Sequence, residues 1–408
     1  MPTNIVKTGR AQDFLALVPQ LAGFLPENSI VLVAFRGTRT CGALRFNLPD
    51  PTLAPKLYKR IATSLVGALC KIPGVDAVVP VSYTDDRFDG PSGMPHERFV
   101  DTLVKRAELA GFLVRDALCV AADGWGSYLD PDCPAGGRPL SDISGSTVTR
   151  AIPEEARREL ATLRSRADLP VVDAAMKVRL SRDFARFQRL GGEADTQPEL
   201  IAMIGDVLDP VETAEAALDW DVLALETEDA AILLYLVQGP ANRDQMMLQF
   251  AFGRQVGVET FELNIRYAAI QRITGRSMDD IVRAEQESGV GGDPTGTSDL
   301  MLGLSTERPD PDRVERAIRV LKTIVALAPR RARPAPLCML AWLSWALGRG
   351  SVAGIFIDQA LSLDPEYSMA QLLYTLFSTG RLPEWAYAAA PDESAESAES
   401  AESADQAS

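Results

Sequence analysis

Three aspartates are the first residues able to do chemistry. Asp85 and Asp86 follow an apolar, β-branched run that ends Val81-Ser82-Tyr83, and Asp123 follows another that ends Val120-Ala121-Ala122. Clustered carboxylates can hold Mg²⁺ or divide into a general acid and a general base. Asp85, Asp86 and Asp123 are therefore the candidate catalytic and metal-binding residues. Tyr83, Trp125 and Tyr128 stand beside them as candidate ligand-binding side chains, with Trp125 and Tyr128 placed to offer a stacking wall. A plainer account of the same residues also exists, because Asp and Gly are common wherever a strand ends and the chain turns.

Other chemistries are poorly served. His96 is the chain's one histidine, which excludes a pair of histidine metal ligands and leaves any Ser–His–Asp triad hanging on one residue. It falls between Pro95 and Glu97 at an expected helix start, where a solvated side chain is the expectation. The five cysteines, Cys41, Cys70, Cys119, Cys133 and Cys338, are odd in number and lack any CxxC spacing. They read as reduced, mostly buried thiols of a cytoplasmic protein. Gly136-Gly137 has no following Lys-Ser/Thr, and Gly124-Trp125-Gly126 lacks the later glycine of a dinucleotide turn, so no phosphate loop is present.

The elements that must position the aspartates are legible in hydropathy. Residues 14–21 show helical spacing behind Asp13, and Pro26-Glu27-Asn28-Ser29 is turn chemistry. Residues 30–35, IVLVAF, form a continuous apolar run, the pattern of a strand buried on both faces. Residues 41–48 can return as its partner. Leu57, Ile61, Leu65 and Leu69 recur at intervals of four and predict a helix over 54–69. Residues 75–83 read as a second buried strand, Phe99, Leu103 and Leu109 mark a helix ending at Gly111, and 112–122 read as a third strand. Strands separated by single helices imply crossovers and at least partly parallel pairing. An α/β domain with a mixed sheet over 1–148 follows, and its ligand crevice is expected beyond the carboxyl ends of the strands.

Residues 149–288 read as helical, 289–310 as a linker around GVGGDPTGTS, and 311–386 as helical hairpins. Within 150–189, ten basic residues face six acidic ones, the one basic region of any length. Arg157, Arg158, Arg164, Arg179, Arg182 and Arg186 are its candidate partner-binding residues, although interleaved acids also fit a solvated helix face. Leu340-Ala341, Gly348 at a turn, Ala353, Ile357 and Ala360, and closing Asp364-Pro365 resemble one tetratricopeptide hairpin. Residues 387–408 repeat Glu-Ser-Ala, an acidic, low-complexity tail expected to be disordered.

Two stretches resemble one known family. Arg10-Ala11-Gln12-Asp13-Phe14-Leu15, Val18-Pro19 and Gly23-Phe24-Leu25-Pro26-Glu27-Asn28-Ser29 resemble the opening of DUF4192, a family of actinobacterial proteins of unknown function. Residues 128–140, YLDPDCPAGGRPL, belong to the same resemblance, which extends to about residue 383. Relatives look richer in cysteine there, and this chain keeps only Cys133, which weakens a metal reading.

The net charge of −15 over 408 residues argues against broad nucleic-acid affinity. No run of about 18 apolar residues suggests a membrane span. Seven of the 41 basic residues are lysine. The reading that follows is a non-enzymatic interaction protein that binds a protein partner through its helical half. A metal-dependent enzyme built on the strand-end carboxylates is the alternative, and a nucleic-acid accessory protein a further one.

Overall fold

The computed structural model describes residues 10–22, 25–88, 93–151, 166–194, 208–288, 296–378 and 382–387. Arg157, Arg158 and Arg164, residues 289–295 of the expected linker and nearly all of the acidic tail lie outside these residues, and the rest of the expected linker carries a short helix at Thr297–Leu302.

The N-terminal domain is α/β, and the described residues that follow it are rich in helix. Helix α1 (Ala11–Ala22) leads into β1 (Ser29–Arg36), whose residues are all buried except the last. The apolar run explains this: β1 is central in the sheet and covered on both faces. β2 (Arg39–Asn47) returns as an antiparallel edge strand, with a register shift at Ala34/Phe35. Pro55 opens α2 (Pro55–Cys70), where its missing N–H goes unneeded. β3 (Ala77–Tyr83) is buried throughout. α3 (Glu97–Leu109) follows, and Gly111 at φ 92° turns the chain after it. The sheet closes with β4 (Leu113–Val114), β5 (Leu118–Val120) and β6 (Trp125–Ser127), in the order β2-β1-β3-β5-β6 with β4 beside β3.

The pairing refines two expectations. β3 is antiparallel to β1 although a helix lies between them in sequence, because the β1–β2 hairpin has already reversed the chain. Only the α3 crossover gives parallel pairs, β3 with β4 and with β5. The third strand is broken: at Asp116 a carboxylate oxygen accepts from the Ala117 N–H at 2.8 Å and from the Ser127 hydroxyl at 2.5 Å, interrupting the ladder.

The two faces of the sheet are covered differently. Ile30, Leu32, Ala34 and Val78 pack under α2 and α3, with Phe99, Val100 and Leu103. Val31, Val33, Val79, Val81, Tyr83 and Trp125 point the other way, where Leu15 and Val18 of α1 cover them.

The helices that follow are α4 (Ser141–Ser144), α5 (Thr147–Ala151), α6 (Ala174–Ala194), α7 (Pro210–Leu218), α8 (Thr227–Leu236), α9 (Pro240–Phe252), α10 (Arg254–Thr274), α11 (Met278–Ser288), α12 (Thr297–Leu302), α13 (Pro311–Leu327), α14 (Pro334–Ala346), α15 (Gly350–Leu363) and α16 (Ser368–Ser378). Asp209 and Asp310 cap α7 and α13, each accepting two backbone N–H bonds. One core runs through this half from Ala167 to Trp385. α14 is its axis, with every residue buried, and Gly348 at φ 75° turns the chain into α15 as the hairpin pattern required. The halves meet where Arg45 donates to the Ser351 hydroxyl and Lys71 pairs with Glu384 at 2.6 Å. Among the described residues, no helix is long and apolar enough to cross a membrane.

Candidate functional site

The strand ends do bring the three aspartates to one rim. β3 and β5 are parallel neighbours with Tyr83 opposite Val120, so residues 84–86 and 121–123 leave the same edge. Backbone bonds continue past the strands, from Thr84 N–H to Val120 O and from Ala122 N–H to Asp86 O, both at 3.0 Å. The carboxylates then part company. Asp85 accepts from the Asn28 side-chain amide at 2.7 Å. Asp86 lies 3.3 Å from His96 Nε2. Asp123 accepts from Phe88 N–H at 2.9 Å, with its other oxygen 3.6 Å from Arg87. Each carboxylate holds a different piece of the rim. Among the described residues, no three His, Cys, Asp or Glu side chains gather as a metal ion requires.

His96 is not the solvated residue its setting suggested. Its side chain is 6% exposed, Nε2 is 3.5 Å from Thr84 Oγ1, and Nδ1 is buried without a partner. The cause lies in its neighbour: Pro95 is buried, and its carbonyl accepts from the Tyr128 hydroxyl at 2.6 Å, which draws the start of α3 under the rim. Burial lowers the His96 pKa, while Asp86 pulls it back upward. Nothing in the sequence around a lone histidine could have revealed a partner ten residues away. His96 (φ 57°) and Asn28 (φ 41°) are the two non-glycine residues with positive φ among those described, and both brace this rim.

Tyr83, Trp125 and Tyr128 do not form a wall. Trp125 and Tyr128 are three residues apart on one extended segment, so the pleat sends them to opposite faces. Tyr83 and Trp125 lie under α1. Tyr128 lies with α2 and α3, its hydroxyl 2.6 Å from Ser82 Oγ. Tyr83 is buried with its hydroxyl unpartnered, and burial pushes its pKa strongly upward. Cys119 sits beside Ser82 and Tyr128, its thiol also pushed up by burial.

Arg179, Arg182 and Arg186 share an exposed face of α6, and two of them are engaged. Arg186 pairs with Glu228 and stacks on Phe187, and Arg182 lies 3.4 Å from Asp183. The apolar faces of the last hairpins are packed within the chain itself. Trp345 packs against Trp342, Phe377 and Trp385, and the Trp342 and Trp385 indoles donate to Met301 and Ala346 carbonyls.

A feature that the sequence did not single out lies on the outer face of α2 and α3. A shallow cleft of about 450 Å³ is lined by Lys56, Lys59, Arg60, Thr63, Ser64 and Arg106. Among the described residues, none of these four cations has an ion-pair partner, and no acid lines the cleft. Thr63 donates to Lys59 O within α2. The cations of α2 recur at three- and four-residue intervals and so share one face, but only the fold adds Arg106 from α3.

A family model described as Domain of unknown function (DUF4192) matches residues 12–260 and 292–384. No curated protein and no solved structure matches the chain.

Proposed function

This chain belongs to the DUF4192 family, and from that premise, which brings no reaction with it, we propose a non-enzymatic interaction protein that grips an acidic segment of a protein partner. The cleft between α2 and α3 is the proposed docking face. The observation that carries the proposal is its lining: four cations, two hydroxyls and no counter-charge, on a chain of net charge −15. Uncompensated like charges repel one another and raise the energy of the free surface, an effect that an acidic partner relieves. Four of the chain's seven lysines, Lys56, Lys59, Lys71 and Lys105, belong to α2, α3 or their ends. The patch is narrow: three of its cations fall within Lys56–Arg60 on α2 and one, Arg106, on α3. That width suits a short peptide segment better than a nucleic-acid backbone, which needs a long track of cations. The five cysteines are all free, which fits a cytoplasmic address for this role.

The test is fluorescence anisotropy of the full chain with a labelled hexaglutamate peptide. Binding should weaken steeply as salt rises from about 50 to about 200 mM, and Lys59→Glu with Arg60→Glu should abolish it. Equal binding by the charge-reversed chain, or tighter binding of duplex DNA than of the peptide, would sink the proposal.

A second reading keeps a protein partner on the helical half. It rests on α16, where Leu372 and Tyr374, 67% and 54% exposed, stand on either side of the buried Leu373 at the end of the helical stack. A terminal helix with exposed apolar side chains is where such a stack can be extended by a partner.

A further inference from the structure

We infer that the cleft between the N-terminus of α1 and strand β6 binds a small molecule bearing a phosphate or carboxylate group. The cleft has a volume of about 510 Å³, within the range of small-ligand sites. It lies at the sheet edge away from the α2–α3 face and does not depend on the docking proposal.

Three guanidiniums from three separate elements line it: Arg10 before α1, Arg115 between β4 and β5, and Arg138 after β6. Two of them are held by aromatic faces. Arg138 lies 5.3 Å from the centre of the Trp125 ring and Arg115 lies 4.9 Å from that of Phe35. A cation fixed in this way loses little freedom when an anion arrives. Ala11 and Gln12 also line the cleft, so the positive end of the α1 dipole adds to the same field.

Each guanidinium already has at least one partner, and Arg138 also reaches Cys133 Sγ at 3.8 Å. Arg10 pairs with Asp13 at 3.1 Å, Arg138 with Asp130 at 2.5 Å, and Arg115 donates to Gly37 O. A guanidinium has five N–H donors, so donors remain for a ligand. Asp116 and Asp130 are the carboxylates of the lining, and both are engaged, Asp116 with Ser127 and Ala117 and Asp130 with Arg138.

An independent observation comes from the buried atoms. Trp125 lines the cleft at 3% exposure, and its indole Nε1 finds no acceptor among the described residues. Asp13, 7% exposed and one residue from the lining, leaves Oδ1 without a donor among the described residues. Buried polar atoms are nearly always paired, and an exception at a cleft points to a group that the described residues do not supply. An oxyanion gives the indole an acceptor, and a hydroxyl of a protonated phosphate or a sugar gives Asp13 a donor. The two stretches that carry the family resemblance, residues 10–15 and 128–140, both reach this cleft.

The experiment follows the indole N–H resonances of the full chain labelled with ¹⁵N-tryptophan. Inorganic phosphate and acetate are titrated separately, against chloride at matched ionic strength. The Trp125 resonance is identified by its loss in Trp125→Phe. It should move saturably with phosphate or with acetate, and which of the two moves it names the ligand class. Arg138→Gln should weaken the effective anion by about tenfold, the loss of one charge-assisted hydrogen bond. Should Trp125→Phe fail to fold, thermal unfolding decides instead. The effective anion should then raise the midpoint of the wild-type chain and not of Arg115→Gln with Arg138→Gln, both at accessible positions. No movement with either anion, equal movement with chloride, or full stabilisation of the double variant would overturn the site.

Discussion

The two faces of the sheet are finished to different degrees. Under α2 and α3, large apolar side chains meet and most polar groups among them are matched: Tyr128 donates to Pro95, and Ser82 reaches both Tyr128 and Leu118 O, which leaves His96 Nδ1 at the start of α3 as the exception among the described residues. Under α1 the apolar packing is also dry, yet Asp13 Oδ1, Gln20 Nε2, Ser29 Oγ, Tyr83 Oη and Trp125 Nε1 are all buried without partners among the described residues. All five belong to α1 or to the strand face beneath it. A single short helix cannot supply both the apolar cover and the hydrogen bonds that two helices supply opposite. The contrast separates a face built for stability from one that leaves hydrogen-bonding capacity over, and leftover capacity of that kind is where a ligand gains most.

Core truncation should show the largest effect. Phe99, 1% exposed against α2 and the sheet, should cost about 3–5 kcal/mol on replacement by alanine. Leu15→Ala on the α1 face should fall near 2 kcal/mol, the low end for such a change, because α1 can settle toward the sheet. Urea unfolding measures both, and equal losses would erase the distinction between the faces. A smaller pair of changes tests the polar side of the contrast. Tyr128→Phe removes a hydroxyl that serves Pro95 and Ser82 and should destabilise by about 1–2 kcal/mol. Tyr83→Phe removes a buried hydroxyl with no partner among the described residues and should leave stability unchanged or improve it. The opposite order would show that the Tyr83 hydroxyl has a partner in solution.

The smallest effect belongs to His96, where the rim meets α3. Its folded pKa is lowered by burial, whereas an unfolded histidine takes a proton near 6.5. The stabilising contribution is therefore complete above that pH. It is lost as pH falls below it, at no more than about 1.4 kcal/mol per pH unit, until the folded pKa is reached. His96 is the chain's one histidine, so His96→Asn, which tolerates the positive φ, should flatten the urea midpoint between about pH 7 and pH 5.5. A slope that survives the substitution would assign the effect to carboxylates.

Much of the architecture was legible because it depends on local pattern. The run from Ile30 to Phe35 gave the central strand, the fourfold spacing of Leu57 to Leu69 gave α2, and Gly348 gave the last turn. The placement of Asp85, Asp86 and Asp123 on one rim was also legible, since it follows from strand ends and a parallel crossover. Their engagement was not: Asn28 reaches Asp85 across 57 residues. Nor could pattern show that Asp116 breaks the third strand, that Trp125 and Tyr128 part across the pleat, or that Arg106 joins Lys56, Lys59 and Arg60. These depend on which side chains the finished fold sets face to face, and on whether a charge finds its opposite there.

The nest around Trp345 also decides what light reports about this molecule. The ring centres of Trp342 and Trp385 lie 6.4 and 5.9 Å from that of Trp345, and these are three of the chain's five tryptophans. At such separations excitation passes freely among the rings, so their emission behaves as one optical signal. Melting followed by tryptophan fluorescence will report the helical half, and the sheet will contribute through Trp125 alone. A difference between that signal and far-ultraviolet circular dichroism would reveal whether the two halves come apart together.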